Sequence, residues 1–164
     1  MVVNLRTSGC APAALAIAAL MPSVTGCPAP ADQPCAGLDY TDAGVTREQY
    51  APCAKAMIRK LDEIWRDTQA AFNYNLSDSE RARGRQACLK ASSELARLIS
   101  QAGGTDRLTR LGWADAELSQ FNRDIEHARN QYIVACLYGD ALGTTPSQID
   151  GSHLEARHIA DSLP

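Results

Sequence analysis

The sequence predicts an all-α protein, an up-down-up three-helix bundle stapled by disulfides. Apolar residues recur at three- and four-residue spacing over three long segments, and no segment has the alternating pattern of a β-strand. Because the breaks between these segments are short, consecutive helices should be antiparallel neighbours. The predicted regions, in order, are a signal peptide at 1–26, a lipidated Pro/Gly-rich flexible tether at 27–45, the bundle at 46–139 and a C-terminal tail at 140–164.

The chain begins with the pattern of an export signal. Arg6 is the only charged side chain in residues 1–26, and an apolar run follows from Ala11 to Met21, interrupted by Pro12. This run has the length of a secretory h-region and is shorter than the roughly 20 apolar residues needed to cross a bilayer. We therefore expect the signal to be removed during export.

The expected processing point contains Val24-Thr25-Gly26-Cys27, which resembles the lipobox of bacterial lipoproteins. The resemblance implies that Cys27 receives diacylglyceride and becomes the mature N-terminus, anchored by acyl chains that each contribute about 0.8 kcal/mol per methylene. Pro28 stands where a retention aspartate would, which implies an outer membrane location facing the periplasm. The alternative is signal peptidase cleavage after Ala31, which would leave a secreted or soluble periplasmic protein.

The tether and the cysteines follow the signal. Residues 27–45 are rich in proline, glycine and small residues, which favours an extended, flexible segment. With Cys10 in the signal and Cys27 at the processing point, four cysteines are left, and an even number in an exported chain predicts two disulfides. They are Cys35, Cys53, Cys88 and Cys136. None has C-x-x-C spacing or a nearby histidine, so we expect no metal site.

The charge balance excludes one class of partner. The whole chain has a formal net charge of −3, and Arg6 leaves with the signal, so the mature part is more acidic still. This charge gives no footprint for nucleic acid and no polybasic patch for anionic lipid. We therefore expect no nucleic-acid partner, and membrane association through the N-terminal lipid.

The first helix is predicted over residues 46–73, with Thr46 as its N-cap and Pro52 near its start, where proline is tolerated. The second begins with a capping box in which Ser77 pairs with Glu80. The apolar stripe of the first helix contains Tyr50, Met57, Leu61, Ile64, Thr68 and Ala71, and that of the second contains Cys88, Ala91, Leu95, Leu98 and Ala102.

Glycines mark the expected ends of the later elements. Gly103-Gly104 ends the second helix, and the third is predicted from 106 to 138, with a kink at Gly112 and its end at Gly139. The stripe of the third helix includes Leu118, Phe121, Ile125, Ala128, Tyr132 and Ala135.

A register argument predicts the disulfide pairs. Counted from their connecting turn, Cys53 and Cys88 differ in level by about nine residues, or about 13 Å, so they cannot bond. Cys35 lies on the tether and can fold back onto Cys53. Cys88 is then left with Cys136, a pair that requires the third helix to break near Gly112.

The cysteine layout resembles the LprI-type lysozyme-inhibitor family of exported bacterial proteins. Two cysteines flank the start of a long helix, a third lies on the following helix, and a Gly-Gly-Thr and a fourth cysteine come after it. The matching residues are Cys35, Cys53, Cys88, Gly103-Gly104-Thr105 and Cys136. The resemblance implies a secreted or periplasmic inhibitor of a cell-wall lytic enzyme, and no functional residue is transferred by it.

One cluster of metal-ligating residue types lies in the tail, where Ser152 and Glu155 predict the cap of a short helix carrying Leu154, Ile159 and Leu163. Glu155 and His158 share a face of that helix, with His153 nearby. A single Glu-x-x-His pair supplies half of a bundle metal site. We therefore expect a solvated terminal turn rather than a metal centre.

The remaining polar residues predict no catalytic site. His127 is expected at the surface, and Asp62, Glu63, Arg66 and Asp67 read as a solvated helix face with local ion pairs. Serine-nucleophile motifs, phosphate-binding loops and haem-attachment motifs are absent from the sequence. We expect no enzymatic activity and no cofactor.

Two tryptophans are the candidate partner contacts. Trp65 and Trp113 each lie one position away from a core stripe, so each either flanks the core or anchors a protein partner. The sequence as a whole predicts a lipid-anchored cell-envelope protein that acts as a non-enzymatic binding or structural module, with an envelope protein as its partner.

Overall fold

The computed structural model describes residues 33–38, 45–103, 115–142 and 150–164. These ranges contain four helices and no strand: α1 (Arg47–Ala71), α2 (Asp78–Gln101), α3 (Ala116–Leu142) and α4 (Asp150–Ser162). The all-α class predicted from the sequence is confirmed. The predicted signal peptide, Cys27, Gly112 and Trp113 lie outside the described residues.

The first two helices begin with reciprocal capping boxes. Thr46 Oγ1 accepts the Gln49 N–H at 3.3 Å, and Gln49 Oε1 accepts the Thr46 N–H at 2.9 Å. Ser77 Oγ accepts the Glu80 N–H at 3.4 Å, and Glu80 Oε2 accepts the Ser77 N–H at 2.8 Å. The predicted N-cap and capping box are confirmed, because each pair satisfies backbone donors that a helix start leaves unbonded.

A glycine follows the end of α2, whereas α3 continues through a glycine. α2 ends at Gln101, and Gly103 follows with φ at 90°, a left-handed conformation that favours glycine. The predicted end of the third helix at Gly139 is wrong, because α3 continues to Leu142. An internal glycine costs about 1 kcal/mol relative to alanine, which a long helix accommodates.

The N-terminal ends of α1 and α3 lie together. Arg47 Nε donates to Asp115 Oδ2 at 2.6 Å, and Tyr50 Oη donates to Asn122 Oδ1 at 2.6 Å. The Asn122 amide in turn donates to the Leu118 carbonyl at 2.9 Å. These buried and half-buried contacts align the first turns of the two helices.

The C-terminal half of α1 meets the N-terminal half of α2. A Cβ on Gly84 would lie 2.8 Å from the backbone nitrogen of Ala71 and 3.1 Å from the carbonyl oxygen of Asp67. No other residue has a side chain small enough for this approach. The core beside it is built from large side chains that are almost fully buried: Tyr50, Met57, Leu61, Ile64, Leu95, Leu118, Phe121, Ile125 and Tyr132.

The C-terminal helix packs on α3 and α1. It begins at Asp150, before the Ser152 cap that the sequence predicts. Its buried positions are His153, Ala156, Ile159 and Ala160, and Leu163 just after it is buried too. Leu154 is 62 % exposed, and His153 takes the inward position one residue earlier.

Candidate partner-binding surface

Both predicted disulfides are present. Cys35 is joined to Cys53, with their Cα atoms 4.7 Å apart, and Cys88 is joined to Cys136, with their Cα atoms 6.5 Å apart. All four cysteines are buried. Part of the predicted flexible tether, residues 33–38, is therefore a turn held against α1 through Cys35.

The Cys88–Cys136 disulfide brings three helices together at one point. Thr68 of α1 places its Oγ1 3.2 Å from the sulfur of Cys136 and 3.5 Å from that of Cys88. The same hydroxyl lies 2.7 Å from the carbonyl oxygen of Ile64, one turn earlier. The covalent bond and these contacts fix the relative positions of α1, α2 and α3 at this level.

Large apolar side chains are exposed beside that disulfide. Val134, Leu137 and Tyr138 lie on one face of α3, at 44 %, 50 % and 58 % exposure. Tyr74, in the turn between α1 and α2, is 77 % exposed. We call these four residues the apolar end, because the turn after Ala71 and the segment around Cys136 meet at the same end of the helices.

The apolar end was not found by sequence reasoning. Val134, Leu137 and Tyr138 flank the predicted core positions Tyr132 and Ala135, so the pattern alone assigns them to the edge of the stripe. A signal was available, since this part of α3 has apolar residues around most of its circumference. A helix of this kind is either enclosed by neighbours or presents an apolar face.

The structure describes one of the two tryptophans that the sequence predicts as partner contacts. Trp65 is half-buried and packs against the core. Trp113 lies outside the described residues. A partner contact at either position stays a prediction, while the large exposed apolar surface in the described residues lies elsewhere.

The histidine cluster of the tail is divided by the structure. His153 is buried, whereas Glu155 and His158 are exposed on α4. The described residues contain no group of three or more side chains able to hold a metal ion. The expectation of a solvated turn is wrong for His153, because the face of α4 that carries it packs on α1 and α3.

His153 belongs to a polar chain that connects three helices. Its Nδ1 lies 2.9 Å from Tyr132 Oη on α3, and its Nε2 lies 2.9 Å from Asp62 Oδ1 on α1. Arg157, one turn further along α4, donates to the same Asp62 oxygen. Sequence reasoning placed Asp62 on a solvated face with local pairs, and this is wrong, since both partners lie on another helix.

This chain serves to hold helices together. Both ring nitrogens of His153 are occupied, and the Tyr132 side chain has no exposed surface. One ring nitrogen is within hydrogen-bond distance of Tyr132 and the other of Asp62, so each has a polar partner. The arrangement thus bonds α4 to both of its neighbours and leaves no polar atom of the imidazole free for a substrate.

A second polar site lies at the other end, where Arg47, Asp115, Ala116 and Glu117 line a shallow depression. Burial alone would raise the pKa of Asp115, but the hydrogen bond from Arg47 and the N–H of Leu118 outweigh it and hold that pKa below its usual range. The pKa of Arg47 is raised by its hydrogen bonds to Asp115 and Glu117. Because these charges pair with one another, the depression presents no free cation to an anionic ligand.

His127 is exposed on α3, as expected, and its Nε2 lies 2.9 Å from the Gln131 amide nitrogen. No helix in the described ranges has the length and apolar character needed to cross a bilayer.

No protein-family model, curated protein or solved structure matches this chain. The lipobox and lysozyme-inhibitor resemblances therefore stay predictions.

Proposed function

We propose that this protein is a lipid-anchored, non-enzymatic binding module of the bacterial cell envelope. The observation that carries this proposal is the apolar end, where Tyr74, Val134, Leu137 and Tyr138 are exposed at the end of the helices that carries the buried Cys88–Cys136 disulfide. Exposed aromatic and aliphatic side chains on a rigid support are typical of protein-binding surfaces, because little conformational entropy is lost on binding.

We propose an up-down-up three-helix bundle as the support for that surface. α1 and α3 align start to start, through Arg47 with Asp115, while Lys60 of α1 pairs with Glu94 late in α2. Thr68, further along α1, meets Cys88, which lies earlier in α2. α4 is then a fourth element docked across α1 and α3.

The proposed anchor lies toward the opposite end of α1. Cys35 is bonded to Cys53 in the N-terminal half of α1, and Cys27 precedes Cys35 by eight residues. Eight residues span at most about 28 Å when fully extended. An anchor at Cys27 therefore holds the N-terminal half of α1 near the membrane and leaves the apolar end free to meet an envelope protein.

Detergent-phase partitioning of the wild type and of Cys27→Ser tests the anchor. We expect the wild type in the detergent phase and the variant in the aqueous phase, because only the wild type receives acyl chains. Equal partitioning of the two would refute lipid anchoring and favour cleavage after Ala31.

Crosslinking in intact cells tests the binding surface. A photoreactive side chain at Leu137 should yield a discrete crosslinked protein species, and the species should be lost when Tyr138→Ser is added. The matched control is a photoreactive side chain at Leu154, which is at least as exposed but lies on α4. Identical crosslinks from both positions would show that apolar exposure alone, rather than the apolar end, accounts for the contact.

The second candidate function is inhibition of a cell-wall lytic enzyme. The specific observation is that the four cysteines shared with the lysozyme-inhibitor resemblance are all paired, which suits a protein that works outside the cell. Lysozyme activity measured with increasing purified protein tests it. Full lytic activity at saturating protein would refute inhibition and leave the anchored binding module as the proposed function.

A further inference from the structure

Three cations lie along the solvent face of α2 at seven-residue intervals. After the first turn, the exposed positions of this helix carry only cationic or uncharged polar side chains: Arg83, Gln86, Lys90, Ser93, Arg97 and Ser100. Seven residues are almost two helical turns, so the charges recur about every 10 Å and lie nearly in line. We call Arg83, Lys90 and Arg97 the basic stripe.

The carboxylates of α2 are bonded to other groups. Glu94 lies within a helical turn of Lys90 and Arg97, but its Oε2 is 2.6 Å from Nζ of Lys60 on α1. The hydrogen bond from Lys60 lowers the pKa of Glu94, and the nearby charges of Lys90 and Arg97 act in the same direction.

At the start of α2, Asp78 pairs with Arg81, and Glu80 accepts hydrogen bonds from Ser77. These contacts leave the stripe without a carboxylate among the exposed positions from 83 onward.

The stripe opposes the charge of the molecule as a whole. The chain has a formal net charge of −3, and exposed carboxylates lie on other helices, at Glu48, Glu117, Glu155 and Asp161, and at Asp78 in the first turn of α2, before the stripe begins. A row of cations on one helix face orients a protein toward an anionic surface even when its net charge is negative. The short Gln and Ser side chains between the cations let a flat surface approach.

We propose that the basic stripe of α2 rests on the anionic phospholipid headgroups of the membrane that carries the anchor. The proposal rests on the lipid anchoring inferred above, which brings α2 within reach of the headgroups. Arg97 is near the end of α2 that lies beside the N-terminal half of α1, where Cys35 is attached. The eight residues before Cys35 span up to about 28 Å, enough for the helix to lie flat on the bilayer.

This surface was missed at the level of composition. A net negative charge predicts no polybasic patch, and the sum hides the separation of charges onto different helix faces. The stripe becomes visible only when burial selects one face of α2.

Vesicle flotation of the full-length Cys27→Ser chain tests the proposal without help from acyl chains. We expect it to float with vesicles containing about 30 % phosphatidylglycerol more than with pure phosphatidylcholine, at low ionic strength, and to dissociate as salt is added. Adding Arg83→Gln, Lys90→Gln and Arg97→Gln should weaken binding about fivefold per charge removed, on the order of 100-fold in all.

The matched control removes three exposed cations from other helices, through Arg59→Gln, Arg66→Gln and Arg123→Gln. This control variant should bind the anionic vesicles at least tenfold more tightly than the stripe variant, which carries Arg83→Gln, Lys90→Gln and Arg97→Gln. Equal unfolding midpoints establish that both variants are folded. Equal binding by the two triple variants, or no loss from the stripe variant, would overturn the proposal.

A soluble acidic polypeptide is the remaining arm of the test. If the Cys27→Ser chain binds polyglutamate through the stripe but gains nothing from anionic vesicles, the stripe belongs to a protein partner and the membrane proposal fails. Failure of the anchor itself is a separate result, because it is measured on wild-type protein by detergent partitioning.

Discussion

The imidazole of His153 lies 2.9 Å from the carboxylate of Asp62, across 91 positions of sequence. This contact, together with the Tyr132 hydroxyl at the other ring nitrogen, bonds the C-terminal helix to α1 and α3. A residue that the sequence pattern places in a solvated turn is therefore part of the tertiary structure. Removing the imidazole of His153 should weaken the attachment of α4 to α1 and α3 more than it changes the helix propensity of α4.

The polar chain predicts a loss of α4 docking in His153→Leu. The substitution leaves the buried Tyr132 hydroxyl without this partner and separates Asp62 from one of its two contacts on α4. Losing a buried hydrogen bond costs about 1 kcal/mol. Hydrogen exchange of the α4 amides should speed up selectively, and urea unfolding should show the loss in stability. His158→Leu, on the exposed face of the same helix, should leave both measurements unchanged.

The close approach of α1 and α2 predicts destabilisation in Gly84→Ala. The new Cβ would lie 2.8 Å from the Ala71 nitrogen, so the helices must separate, at a cost of about 1 to 3 kcal/mol in the free energy of unfolding. Gly151→Ala is the control, since a Cβ at that helical position meets no atom within 4 Å. It should raise stability by up to about 1 kcal/mol through helix propensity. An unchanged free energy of unfolding in Gly84→Ala would contradict the close packing of α1 against α2.

The two disulfides should contribute unequally. The Cys88–Cys136 bond spans 48 residues and the Cys35–Cys53 bond spans 18. By the chain-entropy model, removing the first as a Cys88→Ala, Cys136→Ala pair should cost about 4 kcal/mol, and removing the second about 3 kcal/mol. Urea unfolding of both double variants against the oxidised wild type measures the difference. A reversed order would show that native packing around the cysteines outweighs loop closure.

The Arg47–Asp115 pair predicts a pH dependence of stability. The folded-state pKa of Asp115 is lowered, so its contribution is present above the unfolded pKa, about 3.9, and is lost as pH falls through the folded pKa. Asp115→Asn keeps a good N-cap for α3 and removes the ion pair, so it should cost at most about 1 kcal/mol at pH 7.

This difference between wild type and Asp115→Asn should shrink as pH falls below the unfolded pKa of about 3.9 and through the lowered folded-state pKa of Asp115. Urea unfolding of both proteins across the acid range measures it. A constant difference at all pH values would show that the charge of Asp115 does not contribute. Asp115→Ala provides the comparison, because it loses the cap as well and should stay destabilised in acid.

Much of the architecture was predictable because it depends on neighbours in the chain. Thr46 and Ser77 cap helices through side chains three residues away. The pairing of Cys88 with Cys136 was left by elimination, although the rise per residue would separate the two by roughly 25 Å along a straight third helix. The end at Gly139 failed because a glycine lowers helix stability without forbidding the helix.

The candidate surfaces were less predictable, since their exposure depends on what packs where. Leu137 and Tyr138 resemble core residues in sequence, and only the placement of α1, α2 and α4 leaves them outside. The basic stripe has the converse origin. Its cations are spaced at seven residues in the sequence, but only the fold shows that Glu94, which lies between Lys90 and Arg97, pairs with Lys60 on another helix.

The sequence by itself determined the helical class and the caps, because hydrophobic period and capping act over a few residues. It also predicts the export signal and Cys27 as the lipid site. The tertiary structure alone decided that His153 is buried against Asp62, that Leu154 is exposed and that α3 presents apolar side chains. Burial is a property of which helix faces meet, and residues far apart in the chain decide it together.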